Sequence, residues 1–200
     1  WLLADGVGSE ESREKKREQV VAFILDLIDR AREDVERIDA IVLPEGALDW
    51  PCYCRLVEAL RERQAASPLE FVISGASGFR DDRNNFVLTT TFSYTEDGWV
   101  AVTNGQAKHH RWRLEERQIR AYALGSALDP SRSWWEQIAV DARRVGLTVF
   151  RRHSSFAAMI CEDLARSEPC HAAIRAAGPN LVFALLMDGP QLPQRWAAQY

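Results

Sequence analysis

The sequence predicts a single α/β domain in which helices cover a mixed β-sheet, and three patterns support this prediction. Apolar residues recur every three to four positions between residues 20 and 38, as in one long amphipathic helix. Apolar runs at 38–43 and 69–75 are typical of strands buried on both faces, and a helical segment separates them. Residues 85–107 form two apolar segments around Asp97-Gly98, which indicates a β-hairpin.

Local signals place each element in order. Ser9, followed by two acidic residues, predicts the start of the first helix, whose charged half at 10–18 is interpreted as a solvated face. Pro44 ends the first strand, and Pro51 suits the first turn of a second helix that runs to about residue 66. The remaining predicted elements are strands at 147–152, 156–160 and 180–186, a helix at 169–177 and the start of another at 191–200.

Composition narrows the class of protein. The chain has 200 residues, 46% of them hydrophobic, which suffices for one sizeable core. No internal repeat or flexible linker divides it, so residues 1–200 are expected to form one domain. A net charge of −4 argues against nucleic acid as a partner, and the apolar runs are too short to span a membrane. Four sparse cysteines and the absence of a signal peptide favour the cytoplasm.

Three chemically distinct side chains are predicted at strand ends. Glu45 follows the first strand, Lys108 follows the hairpin, and Cys161 follows the strand at 156–160. Loops beyond the carboxyl ends of strands commonly carry the ligand site in open α/β sheets. A carboxylate, an ammonium and a thiol that meet there provide a base, an oxyanion stabiliser and a nucleophile, which are the groups that acyl transfer through a thioester requires.

The same residues carry a resemblance that covers most of the chain. Three segments, in this order and spacing, resemble the catalytic segments of the nitrilase, or carbon–nitrogen hydrolase, superfamily. They are Leu43-Pro44-Glu45-Gly46, Lys108-His109-His110 with Glu116 further along, and Met159-Ile160-Cys161-Glu162-Asp163-Leu164. Asn85 and the segment Gly178-Pro179-Asn180-Leu181-Val182 also resemble family positions, and Cys161-Glu162-Asp163-Leu164 is similar to the glutaminase domains attached to NAD synthetases.

The resemblance implies an α-β-β-α sandwich, usually dimeric, that hydrolyses a small linear amide or nitrile without a cofactor. Cys161 would attack the substrate carbon, Glu45 would act as base and acid, and Lys108 with the backbone N–H after Cys161 would stabilise the oxyanion. Glu116 would position the lysine and the substrate, and Glu162 is a further candidate for a supporting role. Segments 77–84 and 120–135 are expected to shape the substrate pocket.

Several alternatives follow from the same sequence. A complete family member normally has further strands at both ends, which suggests a truncated domain that is one module of a larger chain. Glu162 and the absence of a proline between Lys108 and Glu116 depart from the family and favour, as an alternative, a silent sensor or scaffold. An acyltransferase using the same thioester is a second alternative. A zinc site is not predicted, because the spacing of the candidate ligands is not that of paired Cys-x-x-Cys motifs. Those ligands are Cys52, Cys54, His109, His110, His153, Cys170 and His171.

Overall fold

The computed structural model describes residues 9–139, 141, 143–166 and 170–187, which form a mixed α/β fold with open sheets. The described part of the chain contains five helices and nine strands. In chain order they are α1 (Glu10–Asp34), β1 (Ala40–Asp49), α2 (Trp50–Arg63), β2 (Phe71–Phe79), β3 (Asp82–Thr95), β4 (Gly98–Ala107), β5 (Arg113–Leu114), α3 (Glu116–Ala121), β6 (Trp134–Trp135), β7 (Leu147–Arg151), β8 (Ser154–Ile160), α4 (Glu162–Ala165), α5 (Cys170–Ala177) and β9 (Leu181–Leu185). The helix predicted at 191–200 lies outside the described residues.

The larger sheet has the strand order β1-β2-β3-β4. β1 and β2 are parallel, whereas β3 is antiparallel to both β2 and β4, so the hairpin predicted around Asp97-Gly98 is confirmed. As a result β1, β2 and β4 all run in the same direction. Their carboxyl ends therefore lie along one edge of the sheet. Lys108 lies at this edge, directly after β4, and Glu45 lies in the second half of β1.

A second sheet, in the order β7-β8-β9, packs against the first. Alternate residues of β8 explain this packing, because successive side chains of a strand point to opposite faces. Phe156 and Ile160 join the cluster that contains Phe71 and Ile73 of β2. The intervening Met159 packs with Cys170 and Ile174 of α5 on the other face, in a cluster that also contains Ala157. In the same way Val72 of β2 faces the core formed with α1 and α2.

The first helix begins after Ser9, whose side chain accepts a hydrogen bond from the Ser12 N–H, as predicted. The interpretation of its whole charged half as a solvated face is wrong at Arg17, which is buried. The Arg17 guanidinium donates to Asp49 at 2.7 and 2.9 Å. Because the other oxygen of Asp49 accepts from the Cys52 N–H and caps α2, this ion pair joins the two helices at the end of β1.

The first strand departs from regular pairing around Glu45. Its ladder with β2 is regular to Leu43, is interrupted, and resumes at Leu48, so the strand continues beyond Pro44, where the sequence predicted its end. Glu45 lies inside the bulge that results. Gly75 of β2 makes room for it, because a Cβ at that position would lie only 2.4 Å from the Glu45 Cα atom.

Replacement of Gly75 by alanine is expected to destabilise the protein by about 1–3 kcal/mol, because the new methyl group would force backbone to move. Equilibrium urea denaturation measures the effect. Gly125→Ala is the matched control, since a Cβ at Gly125 would meet no atom within 4 Å. Equal stability of the two variants would show that the bulge accommodates the added methyl group without a loss of free energy of unfolding.

No helix among the described residues combines the length and the apolar character needed to cross a lipid bilayer.

Candidate active site

A buried ion pair lies at the carboxyl edge of the larger sheet. Lys108, the residue after β4, is 2% exposed, and its Nζ atom lies 2.8 Å from Glu45 Oε1. A second carboxylate, Glu136 Oε2, lies at the same distance of 2.8 Å from Nζ. The structure therefore brings together two of the three side chains singled out from the sequence and adds a third group, Glu136.

Further hydrogen bonds hold both carboxylates in place. The Asn85 side-chain amide donates to Glu45 Oε1 and to Glu136 Oε1, each at 2.8 Å. The Trp112 backbone N–H donates to Glu136 Oε2 at 3.0 Å. Asn85 is itself fixed beside the lysine, because its carbonyl accepts from the Lys108 N–H at 2.8 Å. Charged groups held by this many hydrogen bonds are pre-organised and need little rearrangement when a substrate enters.

The electrostatics of this cluster keep the lysine charged. Burial opposes the charged form of Lys108, but the neighbouring Glu45 and Glu136 together outweigh it, so the pKa of Lys108 is raised above its usual value. A raised pKa means that the ion pairs contribute fully to stability below the unfolded-state pKa of lysine and that this contribution is lost only as the pH rises through the higher folded-state value. Around neutral pH the side chain is therefore an ammonium, as an oxyanion stabiliser requires.

Cys161 occupies a sharp turn between β8 and α4. Its backbone has φ 40° and ψ −101°, a conformation that costs a non-glycine residue on the order of 1–3 kcal/mol. The Cys161 N–H donates to the Leu185 carbonyl at 2.9 Å, and the residue is 9% exposed. In enzymes of the α/β-hydrolase fold, a strained strand-to-helix turn presents the nucleophile at the end of a strand.

Asp163 joins the cysteine segment to the lysine segment. Its fully buried carboxylate accepts from the His109 N–H at 2.9 and 3.0 Å and from the His110 N–H at 2.7 Å. His110 Nδ1 also lies 3.1 Å from it. Since His109 follows Lys108 and Asp163 lies two residues after Cys161, these bonds bring the carboxyl ends of β4 and β8 to the same edge of the fold.

Asp163→Asn is expected to destabilise the protein by about 1–3 kcal/mol, because an amide has one acceptor oxygen where the carboxylate uses two. The loss can be read from a urea titration. Asp129→Asn, in an exposed loop, is a suitable control. Unchanged stability of the Asp163 variant would mean that the two segments are held together by other contacts.

The two predicted supporting residues, Glu116 and Glu162, lie in different surroundings. Glu116 lies on the exposed surface of α3, where its carboxylate pairs with Arg120 at 2.8 Å, so its predicted role beside the lysine is wrong. Glu136 supplies that carboxylate, and it follows β6, which pairs with β5. Glu162 begins α4 and pairs with Arg166 at 3.1 Å.

Two of the other cysteines, Cys52 and Cys170, are fully buried thiols. Burial raises the pKa of Cys52 and of Cys170 to about 11, with the neighbouring carboxylates acting in the same direction. The Cys170 thiol lies 2.8 Å from His109 Nδ1, while His109 Nε2 lies 2.7 Å from the Arg144 carbonyl. This carbonyl can only accept, so Nε2 carries a proton. Thiols with pKa values this high are almost wholly protonated at neutral pH and are poor nucleophiles.

An apolar cavity of about 670 Å³ opens beside Glu45. Of the two segments expected to shape a pocket, 120–135 contributes Tyr122 to its wall, whereas 77–84 forms the tight end of the β2–β3 hairpin and contributes no described wall residue. The sequence did not point to the contributions of α1 or Trp112. In the described part of the chain, no group of three or more His, Cys, Asp and Glu side chains is arranged to hold a metal ion.

Comparison of the chain with protein-family models, with curated protein sequences and with solved structures found no match.

Proposed function

We propose that the protein is a carbon–nitrogen hydrolase that converts a small linear amide to a carboxylate and ammonia through a thioester on Cys161. The observation that carries the proposal is the buried contact between Lys108 and Glu45, because a lysine and a carboxylate are rarely buried without a function or a strong structural partner. The motif resemblance around Glu45, Lys108 and Cys161 supports the same assignment.

In the proposed reaction the Cys161 thiol gives its proton to Glu45 as its sulfur bonds to the amide carbon. The substrate oxygen becomes an oxyanion, which Lys108 and the backbone N–H of Glu162 stabilise. The carbon–nitrogen bond then breaks, and the nitrogen leaves as ammonia with the proton held by Glu45. A water molecule, deprotonated by Glu45, attacks the thioester and releases the carboxylic acid and the thiol.

Glu136 and Asn85 would act on this chemistry by positioning the reacting groups. Glu136 would hold Lys108 without taking part in proton transfer, since its two oxygens are engaged by Lys108, Asn85 and the Trp112 N–H. Asn85 contacts both carboxylates, and so restrains Glu45 relative to Glu136. The proposed base therefore has a fixed orientation before substrate binds.

The corresponding fold proposal is an α-β-β-α sandwich of the nitrilase type. It is supported by the packing of α1 and α2 on one face of the larger sheet, of the two sheets against each other, and of α5 on the outer face of the smaller sheet. A homodimer, which the family resemblance suggests, is part of the same proposal.

Ammonia release from a panel of primary amides, measured with a coupled assay, tests the function. Hydrolysis is expected to yield one carboxylate for each ammonia, and added hydroxylamine should divert part of the thioester to a hydroxamate. A hydroxamate that forms when hydroxylamine is added, together with no carboxylate when hydroxylamine is omitted, would favour acyl transfer. If amides raise the melting temperature but no product forms, the proposed hydrolase activity is wrong and a ligand sensor is favoured.

A further inference from the structure

The apolar cavity touches the proposed centre at three points. Glu45 forms part of its wall. Trp112, also in the wall, donates its backbone N–H to Glu136. Leu186, another wall residue, follows Leu185, whose carbonyl accepts from the Cys161 N–H. The cavity therefore opens between the bulge that carries Glu45 and the strand end that supports the nucleophile.

The described walls of the cavity are mainly apolar. Glu45 is the single charged residue among the described residues that line it. The other wall residues come from the inner side of α1, the β1 bulge, the segment after β9, and the aromatic pair Trp112 and Tyr122, whose rings meet edge to face at 5.4 Å. The described wall thus contains no arginine, lysine or histidine to pair with a carboxylate or phosphate on a substrate.

We propose that this cavity binds the acyl part of the substrate and that the acyl part is uncharged and apolar, as in an aliphatic or arylalkyl primary amide. The inference rests on the proposed function and specifies its substrate class. A volume of about 670 Å³ lies within the usual range for small-molecule sites and is ample for a six-carbon chain or one aromatic ring. A charged acyl group would lose its hydration without a partner to replace it.

Two residues of α1 provide a matched pair of substitutions. Phe23 lines the cavity. Because 61% of its surface is exposed to solvent, a polar residue can replace it without a loss of core packing. Leu27 lies one helical turn further along, is 48% exposed, and is not part of the cavity wall. Phe23→Ser therefore tests the cavity, and Leu27→Ser controls for the loss of an exposed apolar side chain on the same helix.

The test compares kcat/KM for acetamide, hexanamide and the monoamide of adipic acid, which is hexanamide with a terminal carboxylate. Each added methylene should raise kcat/KM roughly fourfold, so hexanamide should exceed acetamide on the order of a hundredfold. The charged analogue should be at least about tenfold poorer than hexanamide. Phe23→Ser should lower the ratio of hexanamide to acetamide, whereas Leu27→Ser should leave it unchanged. Equal rates for all three amides, or a preference for the charged one, would overturn the proposal.

Calorimetric binding to Cys161→Ala separates this proposal from the proposed function. Hexanamide should bind this variant more tightly than acetamide or the charged analogue does. If it does so but the wild type turns over no amide, the hydrolase function is wrong and the apolar binding site is supported. If ammonia release depends on Cys161 but binding and kcat/KM do not change with chain length, the hydrolase function is supported and the proposed substrate class is wrong. Absence of binding by every amide overturns the substrate class as well.

Discussion

Cys161→Ala should lower the rate of the proposed amide hydrolysis on the order of 10⁴-fold or more, because it removes the proposed nucleophile. In the proposed mechanism the thiol supplies the sulfur–carbon bond that divides one difficult hydrolysis into two easier steps. Cys52 and Cys170 cannot replace it, since burial raises the pKa of each thiol to about 11 and keeps it protonated. Initial rates of ammonia release from hexanamide give the measurement.

The matched control is Cys54→Ala on α2, which removes a partly buried thiol that has no place in the proposed reaction. Its rate should equal that of the wild type. Circular dichroism and urea denaturation of Cys161→Ala should show a folded protein, so that lost activity is not lost structure. Comparable rates for Cys161→Ala and the wild type would contradict the proposed thioester mechanism.

Lys108→Met should both unfold more easily and lose activity. Removal of the ammonium leaves the buried Glu45 and the partly buried Glu136 without their counter-charge, and breaking a buried pair such as Lys108–Glu45 typically costs about 3–5 kcal/mol. Loss of the proposed oxyanion donor should lower kcat on the order of 10²–10³-fold. Guanidinium denaturation and the hydrolysis rate measure the two effects separately.

A second substitution distinguishes the cause of the Lys108→Met defect. Lys108→Met/Glu136→Gln removes one of the two uncompensated carboxylates, so its loss of stability should be smaller than that of Lys108→Met alone. Lys16→Met, at an exposed position of α1, should change stability little. A double variant no more stable than Lys108→Met would mean that lost packing, not charge, explains the destabilisation.

The parts of the fold that depend on short stretches of sequence could be predicted. Asp97-Gly98 between two apolar segments is sufficient for the β3–β4 hairpin, and Ser9 before Glu10 is sufficient to start α1. The placement of Lys108 directly after a strand followed from the same local pattern. These predictions succeed because turn geometry and helix capping are set by neighbouring residues.

Contacts between distant segments could not be predicted. Glu136 lies 28 positions beyond the lysine in sequence yet 2.8 Å from it in space, and Trp134-Trp135-Glu136 carries no local signal of this role. Glu116 was favoured because its spacing from Lys108 resembles the family pattern, but the fold turns it to the surface of α3. Asp163 and Arg17 make their decisive bonds to residues far along the chain for the same reason.

The most direct test of the account is to trap the covalent intermediate. Protein mixed with hexanamide and quenched in acid should gain the mass of one hexanoyl group, and peptide mapping should locate it on Cys161. The same treatment of Cys161→Ala should give no adduct. An acyl group found on Cys52, Cys54 or Cys170, or ammonia release that persists in Cys161→Ala, would contradict the account.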